Sequence, residues 1–235
     1  MEEKKIKILI IVPAYNEEAN IEWVIKELQR DIPQYDYIVV NDGSIDETAS
    51  ICKREGFSLL DLPVNIGLTG AVVAGMRYAI QKGYDAVVQY DGDGQHRPEY
   101  VPILAEQLKK GNDIVIGSRY LEKKKPLSFR MLGSRIISAA INLRTGKHIT
   151  DPTSGMRMYG KKAMNNYVTD INCGPEPDTI SYLISKGLNV EEVHVEMRDR
   201  VAGSSYLNVM RSMNYMINMI VSIVVIQGIR KKGEN

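Results

Sequence analysis

The chain has 235 residues, of which 44% are hydrophobic and 25% charged, with 30 basic against 29 acidic side chains. These values are typical of one globular domain with a small appendage, and they exclude an intrinsically disordered, collagen-like or multi-span membrane protein. A net charge of +1 lacks the basic excess of a nucleic-acid-binding protein, so we expect no nucleic-acid partner.

The two cysteines, Cys52 and Cys173, stand in no spacing typical of a zinc site or a disulfide framework. The first residues, Met-Glu-Glu-Lys-Lys, lack the apolar region of a signal peptide. We therefore expect a reducing, cytosolic compartment, and oxygen ligands for any bound metal.

Short apolar runs alternate with helical patterns over the first two thirds of the chain. The runs predict buried strands at Ile6–Val12, Tyr37–Val40, Ala86–Gln89 and Asp113–Ile116. The intervening patterns predict helices at about Glu17–Arg30, Asp46–Glu55, Leu68–Lys82 and Pro98–Lys110. This alternation predicts an α/β fold, Rossmann-like, with a mostly parallel sheet and helices on both faces.

The pattern changes from about Leu121. The elements predicted after it are a charged loop (Glu122–Pro126), a helix (Met131–Leu143), a loop (Asp151–Gly155), a short strand or turn (Met156–Tyr159), a helix (Glu176–Lys186) and a strand (Asn189–Glu196).

The C-terminal segment differs again, since Met213–Ile229 is a run of 17 residues without a charge. A bilayer-spanning helix needs about 20 apolar residues, so a helix lying in the membrane interface fits better. The alternative is a helix packed on the domain or on a partner. We predict a catalytic domain over 1–205 and an amphipathic, juxtamembrane helical segment over 206–235.

The segment Asp91-Gly92-Asp93-Gly94-Gln95-His96 follows a predicted strand. Side chains two residues apart in an extended segment share a side, so Asp91 and Asp93 can converge on one cation. Mg²⁺ or Mn²⁺ prefers such oxygen ligands and keeps open positions for substrate phosphates. The alternative is a solvated acidic turn.

Two further polar segments follow predicted strands. In Val12-Pro13-Ala14-Tyr15-Asn16-Glu17-Glu18, Tyr15 could stack on a base and Glu17 could accept a base N–H, whereas the structural alternative makes Asn16 a helix N-cap. After the second strand, Asp42 could bind a ribose hydroxyl or a base, and Asp46 could be only a helix N-cap. Ligands of such sheets bind beyond the carboxyl ends of the strands, where these segments lie.

As a set, V-P-A-Y-N-E-E, N-D-G-S-x-D and D-G-D-G-Q-H resemble the family-2 glycosyltransferases. Members have a GT-A fold and transfer a sugar from a nucleotide sugar with inversion at the anomeric carbon. The segments Ile116–Tyr120, Asp151–Arg157 and Arg200–Ser205 are similar to the dolichyl-phosphate mannose synthase branch, which loads a sugar onto a polyprenyl phosphate. The resemblance covers roughly residues 6–206.

The resemblance implies a role for each matching residue. Asp91, Asp93, Arg119 and Arg200 would be the catalytic residues. The implied nucleotide-binding residues are Pro13, Tyr15, Glu17 and Asp42. Asp91, Asp93 and Gln95 would surround Mg²⁺ or Mn²⁺ and the diphosphate. The implied acceptor-phosphate residues are Arg119, Arg130, Ser134 and Arg200, since arginine suits bidentate phosphate recognition. A surface ion pair is the alternative for any single arginine.

Glu176 and Asp178 are candidates for contacts with the donor sugar, the alternative being charge at a helix N-terminus. The proline-rich sequence Cys173–Asp178 departs from the mannose synthases and resembles bacterial members that use UDP-sugars. We therefore expect UDP-N-acetylglucosamine or UDP-glucose as donor and undecaprenyl or another polyprenyl phosphate as acceptor, giving a polyprenyl-phosphate monosaccharide for cell-envelope glycan modification.

We expect the chain to act at the cytoplasmic face of the cell membrane, peripherally or shallowly inserted, alone, with a small membrane protein partner or as a homo-oligomer. Two alternatives remain open at this stage. One is a family-2 glycosyltransferase with a soluble glycan or protein acceptor. The other is a non-catalytic, nucleotide-binding membrane subunit.

Overall fold

One seven-stranded sheet organises the computed structural model of the chain, which describes residues 6–170, 173–199 and 216–226. The strands are β1 (Ile8–Ala14), β2 (Asp36–Asp42), β3 (Leu59–Leu62), β4 (Ala86–Gln89), β5 (Ile114–Ser118), β6 (Arg157–Gly160) and β7 (Val190–His194). Their order in space is β3-β2-β1-β4-β6-β5-β7, and all described pairings are parallel except the two that β6 makes. The prediction of a mostly parallel sheet is confirmed.

Seven helices connect these strands in the described part of the chain. They are α1 (Ile21–Asp31), α2 (Thr48–Arg54), α3 (Gly67–Gln81), α4 (Tyr100–Lys109), α5 (Phe129–Thr145), α6 (Lys161–Thr169) and α7 (Pro177–Ser185). Because successive strand side chains point to opposite faces, Ile10 and Val12 pack with α1, α2 and α4, whereas Leu9 and Ile11 pack with α3, α5, α6 and α7. Helices therefore cover both faces, as predicted.

The residues 216–221 form a short helix that continues as a π-helix over Ser222–Ile226. Ile223 is fully buried in the core on the α5 and α7 side of the sheet. In the described part of the chain, no helix has both the length and the apolar character needed to cross a membrane. The rest of the predicted segment 206–235 lies outside the described residues.

Several predicted boundaries differ from the structure. The helix predicted from Glu17 begins at Ile21, because residues 17–20 form a turn in which the Asn20 N–H donates to the Glu17 carbonyl. Asn16 is not the N-cap, since it is left-handed (φ 56°) and its side chain accepts from the Ile45 N–H. Asp46 is not the N-cap residue either, since Glu47 occupies that position of α2, but the Asp46 carboxylate accepts from the N–H of Thr48, the first residue of the helix.

Two elements have no counterpart in the prediction. The strand β3 is short and its side chains are half-exposed or exposed, so it lacks the continuous apolar run of a buried strand. The helix α6 follows β6 directly, with Gly160 as its N-cap residue. The segment predicted as a short strand or turn is β6, which inserts antiparallel between β4 and β5.

Candidate active site

Polar segments from three neighbouring strands meet at one edge of the sheet. Because β2, β1 and β4 are adjacent and parallel, the segments after their carboxyl ends converge. They line a cavity of about 420 Å³ together with the start of α3. The cavity contains all four residues predicted to bind the nucleotide and both predicted metal carboxylates: Pro13, Tyr15, Glu17, Asp42, Asp91 and Asp93.

Hydrogen bonds hold in place the side of this cavity that carries the predicted nucleotide-binding residues. The buried Asp42 carboxylate accepts from the Ile66 N–H at 2.8 Å, which ties the end of β2 to the turn before α3. The Glu17 backbone N–H donates to the Thr48 hydroxyl at 2.8 Å, and the Glu17 carboxylate accepts from the side chain of Asn20. A ligand in the cavity would meet side chains that are already oriented.

The segment Asp91–His96 is folded around the buried imidazole of His96. The Asp91 N–H donates to His96 Nδ1 at 3.0 Å, so the neutral ring carries its proton on Nε2, which lies 3.6 Å from Asp91 Oδ2. The Tyr90 hydroxyl donates to the His96 carbonyl at 2.7 Å. The histidine therefore holds the backbone of Asp91 and lies close to its carboxylate.

The oxygen atoms of this segment suit a divalent cation. Asp93 is 7% exposed, and its carboxylate accepts from the Gln95 N–H at 3.1 Å. Among the described residues, no group of three or more histidine, cysteine or acidic side chains converges as a closed metal site. Asp91 and Asp93 instead supply two carboxylates beside an open cavity, which fits Mg²⁺ or Mn²⁺ with remaining positions for phosphate oxygens. The Gln95 side chain, predicted as a third ligand, donates to the Arg198 carbonyl at 3.4 Å.

Gly155 of the loop Asp151–Gly155 packs directly against Asp91. A Cβ at this position would lie 2.4 Å from Asp91 Oδ2, which is closer than van der Waals contact allows. No side chain larger than hydrogen fits there unless the carboxylate moves. The loop therefore sets where Asp91 can lie, although the two residues are far apart in sequence.

Gly155→Ala is expected to weaken Mn²⁺ binding about 10-fold, because the added methyl group would displace the Asp91 carboxylate. Mutation of residues that orient a metal ligand typically lowers metal affinity 10- to 100-fold. Titration of the purified protein with Mn²⁺, followed by electron paramagnetic resonance, measures this. Gly160→Ala is the matched control, because a Cβ there meets only ordinary contacts of 3.5 Å or more. Equal Mn²⁺ affinity in the two variants would contradict the expectation.

Arg119 is held by a buried carboxylate on the same side of the sheet. Its Nε and Nη2 donate to the two oxygens of Asp151 at 2.6 and 2.8 Å, and Asp151 has no exposed surface. Glu192 on β7 in turn accepts from the N–H groups of Thr150 and Asp151 at 2.6 and 2.7 Å. This chain of contacts fixes the plane of the guanidinium that was predicted to bind phosphate.

Ser134 lies next to a cation that the prediction did not include. The half-buried Lys125 donates from Nζ to the Ser134 hydroxyl at 2.9 Å, and burial lowers the pKa of the Lys125 amine. The ring of Tyr120 lies 5.3 Å from Arg119 Cζ and 5.7 Å from Lys125 Nζ. Lys125 and Arg119 thus flank one tyrosine beside a predicted acceptor-phosphate residue.

Arg157 connects the loop Asp151–Gly155 with the loop before the predicted donor-sugar residues. Its buried guanidinium donates to the carbonyls of Ser154 (2.8 Å), Pro152 (2.7 Å) and Pro175 (2.9 Å). The first two carbonyls belong to the loop against Asp91, and the third precedes Glu176. The arrangement ties the two loops to one strand.

The two predicted donor-sugar carboxylates lie at the start of α7. Glu176 is its N-cap residue and half-buried. Asp178 accepts from the Ser222 hydroxyl at 2.6 Å, which links α7 to the C-terminal helical segment. Of the remaining predicted site residues, Arg200 and the side chain of Arg130 lie outside the described part of the chain.

Sequence patterns alone did not identify His96, Lys125, Gly155 or Arg157 as structural parts of this region. The signal for three of them was present, because His96, Gly155 and Arg157 lie within the quoted motifs. Both cysteines are buried, and burial raises the pKa of the Cys52 thiol to about 11.

A model of the family described as "Glycosyl transferase family 2" matches residues 9–168. The chain is 32% identical over 200 residues to an uncharacterised protein of Methanocaldococcus jannaschii, with 82% of each chain covered. It is 30% identical over 216 residues to the undecaprenyl-phosphate mannosyltransferase of Micrococcus luteus, covering 86% of this chain and 88% of the relative. A third relative, the UDP-N-acetylglucosamine–dolichyl-phosphate N-acetylglucosaminyltransferase of Methanococcus voltae, is 31% identical over 180 residues, or 67% of this chain and 70% of the relative.

The fold is also that of glucosyl-3-phosphoglycerate synthase from Mycobacterium tuberculosis. Its structure with phosphoglyceric acid superposes with a TM-score of 0.70 at 22% identity, over 93% of this chain and 80% of the synthase. A structure of the same enzyme with Mn²⁺, UDP and phosphoglyceric acid superposes with a TM-score of 0.68 at 22% identity, over 93% and 78% of the two chains. At this identity the likeness establishes the GT-A type of fold.

Proposed function

Because the chain belongs to glycosyl transferase family 2, we propose that it transfers one sugar from a nucleotide diphosphate sugar to a polyprenyl phosphate at a membrane surface. The observation that carries this proposal is a structural connection between the cavity at the strand ends and the region of Arg119. The cavity with Asp91 and Asp93 is connected, through Gly155 and the loop from Asp151, to the cationic region of Arg119.

The donor nucleotide would bind between Pro13, Tyr15, Glu17 and Asp42. Mg²⁺ or Mn²⁺ held by Asp91 and Asp93, with Gln95 nearby, would neutralise the charge that develops on the departing diphosphate. The Mn²⁺ and UDP in the structure of the Mycobacterium tuberculosis synthase support this assignment by analogy of fold.

The acceptor phosphate would bind at Arg119, Arg130, Ser134 and Arg200. The bidentate contact with Asp151 orients Arg119 before the acceptor arrives, which lowers the entropic cost of forming the complex. Lys125 adds a second cation beside Ser134. Relatives named for transfer to undecaprenyl and dolichyl phosphates support a lipid phosphate as acceptor.

The donor sugar is proposed to be N-acetylglucosamine or glucose, carried by UDP. The named relatives differ in their sugars, since one is a mannosyltransferase and another an N-acetylglucosaminyltransferase. The departure of Cys173–Asp178 from the mannose synthases favours a UDP-sugar, with Glu176 and Asp178 near the sugar hydroxyl groups. Polyprenyl-phosphate N-acetylglucosamine or glucose would then be the product.

The location proposed for this reaction is the cytoplasmic face of the membrane. On α5, Leu132 and Ile136 are about half exposed and Leu143 is 84% exposed, and they lie on one helical face. On the C-terminal helical segment, Ile217 and Val221 are also about half exposed. This segment contacts α5, since Met216 packs at Gly133, so both apolar stripes are close together. They suit the boundary between headgroups and acyl chains.

Transfer should need no enzymatic general base near pH 7. A phosphomonoester has a second pKa of about 6, so the acceptor is already a dianionic nucleophile at neutral pH. We expect the rate to fall below about pH 6, where the acceptor gains a proton. A pH–rate profile with a short-chain polyprenyl phosphate measures this. A profile governed near pH 7 by one carboxylate, and lost when that carboxylate is replaced, would contradict it.

The direct test offers radiolabelled UDP-N-acetylglucosamine, UDP-glucose and GDP-mannose separately, with Mn²⁺ and undecaprenyl phosphate in membranes. Label from a UDP-sugar in an organic-extractable, mild-acid-labile product is the expected result. Label only from GDP-mannose would overturn the sugar assignment. Transfer to a soluble glycan or protein instead of the lipid would overturn the acceptor, and nucleotide binding without turnover on any acceptor would favour a non-catalytic subunit.

A further inference from the structure

A second open pocket, of about 610 Å³, lies between the loop after β5, one side of α5 and the residues before Asp151. Its lining includes Lys123, Lys124, Lys125, Arg135 and His148. In the part of the chain that the structure describes, it shares no lining residue with the cavity at the ends of β1, β2 and β4. The two are therefore separate regions of the surface.

The charge of this pocket is positive. Its described lining residues include three lysines, Arg135 and His148, against the single carboxylate of Glu122. The guanidinium of Arg135 is held in place, because Nη2 donates to the Lys125 carbonyl at 2.8 Å. Lys123 pairs with Glu196 at 2.5 Å at the rim, and Lys124 is exposed. A chain with a net charge of only +1 concentrates cations here, which favours an anionic ligand.

Exposed apolar side chains border the same pocket. Leu121 is one of its lining residues, and Leu127 follows the lysine run with 93% of its surface exposed. Arg135 lies three residues after Leu132 on α5, so the charged pocket adjoins the apolar stripe of Leu132, Ile136 and Leu143. Binding of a soluble anion would require only the positively charged side chains. The combination of positive charge with an apolar surface matches a lipid, in which a phosphate group lies above acyl chains.

We propose that the exposed part of this pocket, at Lys124 and Arg135, binds the phosphate headgroup of an anionic membrane phospholipid, whereas the half-buried Lys125 at its inner edge faces the proposed acceptor site. Lys124 and Arg135 would contact the phosphate, while the α5 stripe enters the acyl-chain boundary. This inference rests on the proposed function only in placing the chain at a membrane. It adds a preference for anionic bilayers. The transfer of a sugar to a polyprenyl phosphate does not itself require such a preference.

The test is sedimentation of the full chain with vesicles of phosphatidylcholine, with and without phosphatidylglycerol. We expect stronger binding to the anionic vesicles, and binding that declines as salt is added. The double variant Lys124→Ala, Arg135→Ala should bind them roughly 25-fold more weakly, since each cation near an anionic surface contributes roughly five-fold. The matched control is Arg77→Ala, Lys110→Ala, which removes one exposed arginine and one exposed lysine elsewhere on the described surface.

Three outcomes would overturn the proposal. Equal binding of the wild-type chain to neutral and anionic vesicles would show that the protein does not recognise an anionic headgroup. Tight binding of inorganic phosphate that is lost in the double variant would indicate a soluble anion. The wild-type chain could instead form a dimer in the absence of vesicles, and the double variant Leu132→Ser, Ile136→Ser could remain a monomer. This result would identify the α5 stripe as an interface between two copies of the chain.

Transfer to a detergent-solubilised, short-chain polyprenyl phosphate separates this proposal from the proposed function. The single variant Lys124→Ala should retain wild-type transfer there, because the bilayer is absent and the contact of Arg135 with the Lys125 carbonyl is kept. Loss of transfer in Lys124→Ala would place the exposed part of the pocket within the acceptor site and contradict a separate headgroup site. Absence of transfer in the wild-type chain would instead count against the proposed function, while vesicle binding still tests the pocket.

Discussion

Asp93→Asn is expected to lower sugar transfer by about 10²–10³-fold, the range found when one preorganised group that stabilises transition-state charge is removed. The amide has the shape of the carboxylate but not its charge, so it should hold a divalent cation much more weakly. Asp93 is nearly buried beside the cavity, where water replaces a lost ligand less readily than at the surface. A radiolabel transfer assay at saturating donor and acceptor measures the change.

The matched control for this variant is Asp61→Asn. Asp61 is also an aspartate near this edge of the sheet, but it is exposed and paired with Lys53 outside the cavity. We expect it to retain transfer within a few-fold of the wild-type rate. Unchanged transfer in Asp93→Asn, together with unchanged Mn²⁺ affinity, would contradict the assignment of Asp93 as a metal ligand.

Arg157→Met is expected to lower the free energy of unfolding by about 3–5 kcal/mol, because buried acceptors left without a donor cost about 1–3 kcal/mol each. The methionine fills part of the volume but donates nothing to the carbonyls of Pro152, Ser154 and Pro175. Urea unfolding followed by circular dichroism measures the difference. Arg77→Met, at an exposed position of α3, should change it by only about 0.5 kcal/mol or less.

Arg157→Lys distinguishes the geometric role of this side chain from its charge. Lysine keeps the positive charge but cannot present the planar set of donors that reaches three carbonyls in two loops. We expect a folded but less stable protein with reduced transfer, since the loop against Asp91 would lose its connection to the loop before Glu176. Full stability and full transfer in this variant would mean that the loops are held by other contacts.

The contact between Ser222 and Asp178 gives the C-terminal helical segment a direct connection to the proposed donor side. The same segment contributes the buried Ile223 to the core and exposes Ile217 and Val221. A membrane that binds the exposed face would therefore act on an element already packed against α7. The proposed membrane attachment and the proposed donor site would then be linked through one short helix.

The sequence alone was sufficient for the alternation of strands and helices in the first two thirds of the chain. Nearly continuous apolar runs such as Ala86–Gln89 mark strands buried on both faces, and local periodicity depends only on nearby residues. The position of Asp42 and Asp91 after such runs then predicted their convergence, because parallel strands present their carboxyl ends at one edge. The weakly apolar edge strand β3 carried too little of this pattern to be predicted.

Only the tertiary structure decided which distant segments touch these residues. The antiparallel insertion of β6 between β4 and β5 brings Gly155 against Asp91 and Arg157 between two loops. The pairing of Arg119 with Asp151, and of Ser222 with Asp178, joins residues more than thirty positions apart. Such contacts follow from strand register and core packing, which sum weak interactions over the whole domain and leave no local pattern in the chain.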